Sequence, residues 1–303
     1  MSRVGVIDCG TNSIRLLIAD IHEGQFSEVL RRMEIVRLGE GVDQNKSFYP
    51  VAIERTLKVT AEYAGLIRSK GVEKIRFCAT SAARDAANRE LFLSGVRDLL
   101  GIEPEVIAGE EEAKLSFLGA TTEFSRSGAP FLVVDIGGGS TEFVYGSEVV
   151  EAAQSVNIGC VRMRERHLHS QPPTEVQLSA AIQDIQEAIS DAGKNVPIKS
   201  AKTLIAVAGT ATTVAAAALG LKEYDPRLIH LVRISTAKVH EVARMFSQMK
   251  REDIAALGYM HPGRVDVITA GSLILSQIMT ATEAKELVVS ESDILDGMAW
   301  SIA

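Results

Sequence analysis

Cysteine is scarce in this chain: 303 residues carry three, Cys9, Cys78 and Cys160, odd in number and widely spaced. There is no CxxC pair and no Cys/His run with zinc spacing. A disulfide framework and a structural zinc fold are thereby excluded, and the three read as small buried residues in a reducing compartment. Positive charge is not in excess either. Lys and Arg number 32 against 39 Asp and Glu, for a formal net charge of −7, so no global field draws nucleic acid or an anionic membrane. A polyanionic ligand would have to be met by a local basic patch or a metal. Long apolar runs are missing with one exception. Thr203–Leu221 carries no charge and approaches membrane-spanning length. It is mostly Ala, Thr and Gly, however, and reads as a buried strand followed by a close-packed helix. The N-terminus enters a strand at once, without the apolar region of a signal peptide. The expectation is a cytoplasmic protein with neither membrane nor nucleic acid as partner.

What is present centres on Phe131–Glu142, FLVVDIGGGSTE. A short apolar run bounded by glycine reads as a buried strand ending at Asp135. Gly137, Gly138 and Gly139 let the backbone turn tightly and approach a ligand. Amides in such a turn cradle an anion, and a carboxylate at the strand end holds a cation. Phe143–Tyr145 resumes an apolar run, so the unit reads as a β-hairpin. The pattern has an echo in Val4–Ala19, VGVIDCGTNSIRLLIA, with Asp8 on Asp135, Gly10 on Gly137 and Ser13 on Ser140. A repeat at this distance, in a chain long enough for two cores, points to two similarly built α/β domains. The boundaries expected are 1–122 and 123–291, with 292–303 packing back on the first.

Other segments supply candidates. Lys74–Ala79 reads as a buried strand opening at Thr80 and Ser81 into a helix that runs to about Leu100. The free amides of that helix start, with Arg84 one turn in, suit an anion, though an ordinary cap with a solvent-facing Arg84 is the simpler local account. Glu110, Glu111 and Glu112 open another helix, where acids suit the helix dipole. Successive helical residues point about 100° apart, so only one or two of the three can face inward. An inward carboxylate at a phosphate site would orient or deprotonate water. Arg162, Arg164, Arg166, His167 and His169 form a basic stretch read as a solvated face. Ala208–Thr213 is a second small-residue turn into a helix, without lysine. There is no GxxxxGK[ST], and Glu142 occupies the final glycine position of both GxGxxG and GxSxG. A Walker P-loop, a Rossmann site and a hydrolase serine elbow are therefore not supported.

Seven ordered blocks, VGVIDCGTNSIRLLI, ATSAARDAAN, VIAGEEEAKLSFLGA, VVDIGGGSTEFVYG, AVAGTATT, HPGRVDVI and VSESDILDG, resemble the exopolyphosphatase / guanosine pentaphosphate phosphatase family from Val4 to Gly297. The resemblance implies the two-domain actin-like ATPase fold, with the active site in the interdomain cleft. It implies Mg²⁺-dependent release of the terminal phosphate of inorganic polyphosphate, or of the 5′ terminal phosphate of guanosine pentaphosphate, by a homodimer. Carried over by motif, it makes Glu112, Asp135, Glu142 and Arg84 catalytic. Asn12, Ser13, Gly137, Gly138, Gly139, Ser140, Gly209, Thr210 and Arg264 would bind phosphate, and Asp8, Asp135 and Glu142 would hold metal. Many relatives carry a further C-terminal helical region, whereas the sequence given stops at Ala303. The expectation is therefore short chains or guanosine pentaphosphate rather than processive digestion. Two other readings are an ATPase or kinase of the same fold, and a non-catalytic sensor of polyphosphate or guanine nucleotide.

Overall fold

The computed structural model describes residues 2–303. In chain order the first half contains β1 (Ser2–Cys9), β2 (Ser13–His22), β3 (Gln25–Ile35), α1 (Val42–Asn45), α2 (Pro50–Ser69), β4 (Lys74–Ala79), α3 (Ser81–Asp85), α4 (Arg89–Leu100), β5 (Glu105–Val106) and α5 (Gly109–Thr121). The second contains β6 (Phe131–Ile136), β7 (Thr141–Gly146), β8 (Val150–Val156), α6 (Cys160–His167), α7 (Glu175–Asn195), β9 (Thr203–Val207), α8 (Ala208–Ala218), α9 (Pro226–Ile229), β10 (Arg233–Ser235), α10 (Thr236–Gln248), α11 (Arg251–Ala255), α12 (Ile268–Thr282) and β11 (Glu286–Val289), followed by α13 (Ile294–Ser301). The chain forms two compact units: Met1–Gly119 with Ile294–Ala303, and Ala120–Asp293.

In the first unit the strand order is β3-β2-β1-β4-β5, with β1 antiparallel to β2 and parallel to β4. Strand alternation sends Ile7, Cys9, Ile14, Leu16 and Ile18 to one core and Val4, Val6, Leu17, Ala19 and Ile21 to the other. The first core takes Tyr63 and Ile67 of α2 and Phe92 and Val96 of α4; the second takes Leu115 of α5 and Ile294, Leu295 and Met298 of α13. Fully burying each such side chain contributes about 1.5–3 kcal/mol. The C-terminal helix is thus part of this unit's core. Gly297 makes that possible: a Cβ there would stand 1.9 Å from the Leu115 carbonyl oxygen.

The second unit repeats the plan in the order β10-β11-β9-β6-β7-β8, with β6 antiparallel to β7 and parallel to β9. Its sheet and helices close around one large apolar cluster that includes Leu132, Val134, Phe143, Ile185, Val214, Phe246 and Ile274. Helix α7 starts at a reciprocal cap, in which Thr174 accepts from the Gln177 amide while the Gln177 side chain accepts from the Thr174 amide.

Thr203–Leu221 is the strand β9 running into the helix α8, and no helix is long and apolar enough to cross a membrane among the described residues. Two readings of the sequence are corrected. The single helix expected from Thr80 to Leu100 is two, because Ala86 is extended (ψ 120°) and the Ala87 amide donates to the Lys46 carbonyl at 2.8 Å. Asn88, just before the second helix, clamps the Phe48 backbone, accepting from its amide at 2.8 Å and donating to its carbonyl at 3.0 Å. β8 has no counterpart in the sequence reading, since VEAAQSV at a half-buried sheet edge lacks clear alternation.

Gly297→Ala should force α13 away from α5. Such overpacking costs about 1–3 kcal/mol and should lower Tm by about 3–10 °C. An unchanged Tm in differential scanning calorimetry would contradict this packing.

Candidate active site

Both hairpins make the same turn. Gly10 N–H donates to the Ser13 carbonyl at 2.9 Å, and Gly137 N–H donates to the Ser140 carbonyl at 3.0 Å. What differs is the residue opposite the strand-end aspartate. In the first unit Asp8 pairs across the ladder with Arg15; in the second Asp135 pairs with Glu142. Asp8 Oδ2 accepts from Arg15 Nη2 at 2.7 Å and Nε at 3.0 Å, so this carboxylate is neutralised within its own hairpin. Asp135 and Glu142 are 6% and 1% exposed and carry like charge on directly opposed positions of one face, an arrangement that is destabilising by itself.

Glu142 is held from two sides. Ser140 Oγ and Ser155 Oγ both donate to its Oε1, at 2.8 and 2.7 Å. The Ser140 hydroxyl, read from the sequence as a phosphate contact, is therefore engaged with Glu142. The glycine loop between β6 and β7 is fixed by α6. Cys160 N–H donates to the Gly137 carbonyl, Val161 and Arg162 amides to that of Gly138, and Arg162 Nε to that of Gly139 at 2.6 Å. With its carbonyls turned to α6, the loop has the amides of Gly138 and Gly139 left over, while that of Gly137 closes the turn. This close approach requires Gly159, where a Cβ would lie 2.4 Å from the Gly138 carbonyl. Arg162, at 6% exposure, is not on the solvated face expected of the basic stretch.

The turn from β9 into α8 carries Gly209 and Thr210. Ala208 has φ +66°, a left-handed conformation that is costly for a residue with a Cβ and is typical of functional turns. Arg264 lies against Gly209, its guanidinium within 1.7–2.0 Å of where a Cβ would stand, so only glycine fits beneath it. The Thr210 side chain is buried against Gly271 and Cys160. Its backbone amide, in the first turn of α8, belongs to those with no intrahelical acceptor.

In the first unit the turn residues Thr11 and Asn12 are stitched to the following strap. The Thr11 carbonyl accepts from Gly39, and that of Asn12 from Val36 and Arg37. Thr11 Oγ1 and Asn12 Oδ1 are buried without a hydrogen-bond partner among the described residues, and buried polar atoms of this kind take a water, an ion or a ligand as partner. Ser13 is half-buried beside them. Of the three acids opening α5, Glu110 is exposed, Glu111 reaches Arg76 at 3.4 Å, and Glu112 alone is buried. Arg84 Nη1 donates to Glu112 Oε2 at 2.6 Å and to the Ile107 carbonyl at 3.0 Å. Arg84 is therefore not a solvent-facing residue after a cap. Burial pushes the Glu112 carboxyl above the ordinary glutamate range, Asp8 adds to the rise, and Arg84 and the Thr80 hydroxyl oppose it.

Each unit thus brings its own candidates together: Asp8, Asn12, Ser13, Arg84 and Glu112 in the first, and Asp135, Gly137–Gly139, Ser140, Glu142, Gly209, Thr210 and Arg264 in the second. Sequence reasoning did not single out Arg15 or Ser155, and it placed Arg162 on a solvated face. The signal for Arg15 was available: a hairpin closed by the Gly10–Ser13 turn sets it opposite Asp8. Among the described residues no three or more His, Cys, Asp or Glu side chains form a metal cage. Cys9, Cys78 and Cys160 are buried and free, and burial raises all three thiols, which makes them poor nucleophiles.

The family model described as the Ppx/GppA phosphatase family matches residues 17–303. Exopolyphosphatase 2 of Mycobacterium tuberculosis is 46% identical over 318 residues, spanning 100% of this chain and 99% of the relative. The guanosine-5'-triphosphate,3'-diphosphate pyrophosphatase of Photobacterium profundum is 26% identical over 299 residues, or 98% of this chain and 58% of that protein. The crystal structure of an exopolyphosphatase-like protein, 42% identical, covers 99% of this chain and 98% of its own with a TM-score of 0.95. The fold is the α/β actin-like ATPase fold of these structural neighbours. With a family model spanning residues 17–303 and a full-length relative at 46% identity, the chain belongs to the Ppx/GppA phosphatase family.

Proposed function

We propose that this protein is a Mg²⁺-dependent phosphoanhydride hydrolase that releases the terminal phosphate of inorganic polyphosphate, short chains in particular, or the 5′ terminal phosphate of guanosine pentaphosphate. The observation that carries this reading is the buried pair Asp135 and Glu142, directly opposed at the foot of an amide-bearing glycine loop. Opposed acids favour a cation, and the loop amides favour an anion. The donors are carboxylate oxygens, the hard ligands Mg²⁺ takes. Mg²⁺ is usually held by one or two carboxylates and the substrate's own phosphates rather than by a complete protein cage. Asp135 and Glu142 would hold it, with Asp8 contributing through a charge already shared with Arg15. When bound, the ion neutralises charge on the phosphoryl oxygens.

Phosphoryl transfer has a loose transition state, so the protein's part is mostly positioning and charge stabilisation. Glu112, fixed through Oε2 by Arg84, orients a water and takes its proton. The water oxygen bonds to the terminal phosphorus as the bridging P–O bond breaks, and the chain leaves one phosphate shorter. The amides of Gly138, Gly139, Gly209 and Thr210, with Asn12, Ser13, Arg84 and Arg264, receive the phosphoryl oxygens. No covalent phosphoenzyme is formed.

Phosphate release with Mg²⁺ from tripolyphosphate, long polyphosphate, guanosine pentaphosphate and ATP tests the reading. The first or third should be preferred, and Glu112→Gln should lower kcat by about 100-fold or more while Tm is kept. Preference for ATP, or near-normal turnover in the variant, would overturn it. A second outcome concerns pH. The base works ionised, so kcat/KM should rise with pH through a Glu112 value above the ordinary one of about 4.3. Arg84→Met, which removes an opposing charge, should shift this acidic limb further upward. A limb at the ordinary value, or one unmoved in the variant, would contradict the assignment.

A further inference from the structure

The basic stretch after β8 is accounted for inside the fold with two exceptions. Arg162 holds the Gly139 carbonyl. Arg166 and His167 both reach Asp184 Oδ2, at 3.2 and 2.8 Å. Arg164 and His169 remain, and both line one cavity of about 230 Å³, together with Ser170, Gln171, Arg251, Asp266 and Thr269. Two positions along a helix turn a side chain through about 200°, so Arg164 faces away from the loop that Arg162 grips.

The walls of this cavity are fixed before any ligand arrives. Gln171 Nε2 donates to the carbonyls of Phe246 and Met249, at 3.0 and 2.7 Å, and Thr269 Oγ1 donates to Gln171 Oε1 at 3.2 Å. Ser170 Oγ is spent on the Pro172 carbonyl and Gln177. Arg251 Nε donates to Asp266 at 2.8 Å, which sets the Arg251 guanidinium in place and offsets the one acid in the lining. The Arg164 side chain makes no hydrogen bond or ion pair among the described residues. A half-buried guanidinium without an acid, beside a second one held by a carboxylate, gives a net positive, preorganised pocket. Its volume and its N–H donors suit a tetrahedral oxyanion.

We propose that this cavity is a second oxyanion site, taking a phosphoryl group apart from the glycine loops. The group is either free orthophosphate or a distal phosphate of a bound chain; only the second rests on the proposed function. The cavity is tied to both loops of its unit. Helix α6 sends Arg162 to the Gly139 carbonyl and Arg164 to the cavity, and the 264–266 segment sends Arg264 to Gly209 and Asp266 to the cavity.

The test titrates orthophosphate into the isotope-labelled full chain and follows backbone amide resonances. The amides of Gln171 and Thr269 should shift and saturate. In Arg164→Gln their midpoint should rise about tenfold or more, the loss expected of one charged hydrogen-bonding group, while the amides of Gly138 and Gly139 respond as before. Arg251→Gln, on α11, should give the same loss and serves if the first variant does not fold. Silent Gln171 and Thr269 amides, or an unchanged midpoint in the variants, would overturn the site. This titration needs no turnover, so it stands or falls separately from the reaction. With the site present, a KM for long polyphosphate raised about tenfold in Arg164→Gln, and unchanged for tripolyphosphate, identifies a distal chain phosphate. Equal KM values for both identify free orthophosphate.

Discussion

Two carboxylates facing each other on adjacent strands set the terms for the rest of this molecule. Cross-strand neighbours place their Cβ atoms about 5 Å apart. At an effective dielectric near 20, two like charges at that distance repel by about 3 kcal/mol. Asp135 and Glu142 occupy such opposed positions in a buried setting. A divalent cation turns the repulsion into attraction on both sides. The first unit, built on the same strand order and the same turn, avoids the problem by putting Arg15 where the second has Glu142. Duplication of one hairpin thus yields two different electrostatic devices from a single substitution of sign.

The neighbouring structure is arranged to keep the acids in place. Two hydroxyls grip one oxygen of Glu142. The glycine loop turns its carbonyls to α6, which leaves the Gly138 and Gly139 amides over. Gly159 and Gly209 are required by close approach, of a carbonyl in one case and of Arg264 in the other. In the first unit Arg84 does for Glu112 what the serines do for Glu142: it fixes one carboxylate oxygen. These contacts are short, and most of them come from elements distant in sequence: Ser155 of β8, Arg162 of α6, and Arg84 beside α5.

Much of this was legible in the residues. The hairpin repeat, the strand-end aspartates and the glycine turn follow from apolar runs broken by small residues. That only one or two acids of GEEEA can turn inward follows from helical geometry. The rest depended on partners distant in sequence. Arg162 reads as solvated until α6 is seen to begin at Cys160, which aims it at Gly139. Arg84 reads as a cap neighbour until α5 brings Glu112 beside it. Ser155 lies on an edge strand whose sequence carries no period, so neither the strand nor its contact with Glu142 could be inferred. The break after α3 falls at the extended Ala86, where the Ala87 amide and the Asn88 side chain bind the backbone of Lys46 and Phe48, about 40 residues away, which no local propensity encodes.

Calorimetric titration of the full chain with Mg²⁺ measures directly whether the opposed acids are a cation site. The wild-type protein should bind Mg²⁺, and Glu142→Gln should weaken the affinity about tenfold or more. Equal Mg²⁺ affinity in the two proteins would contradict the central claim.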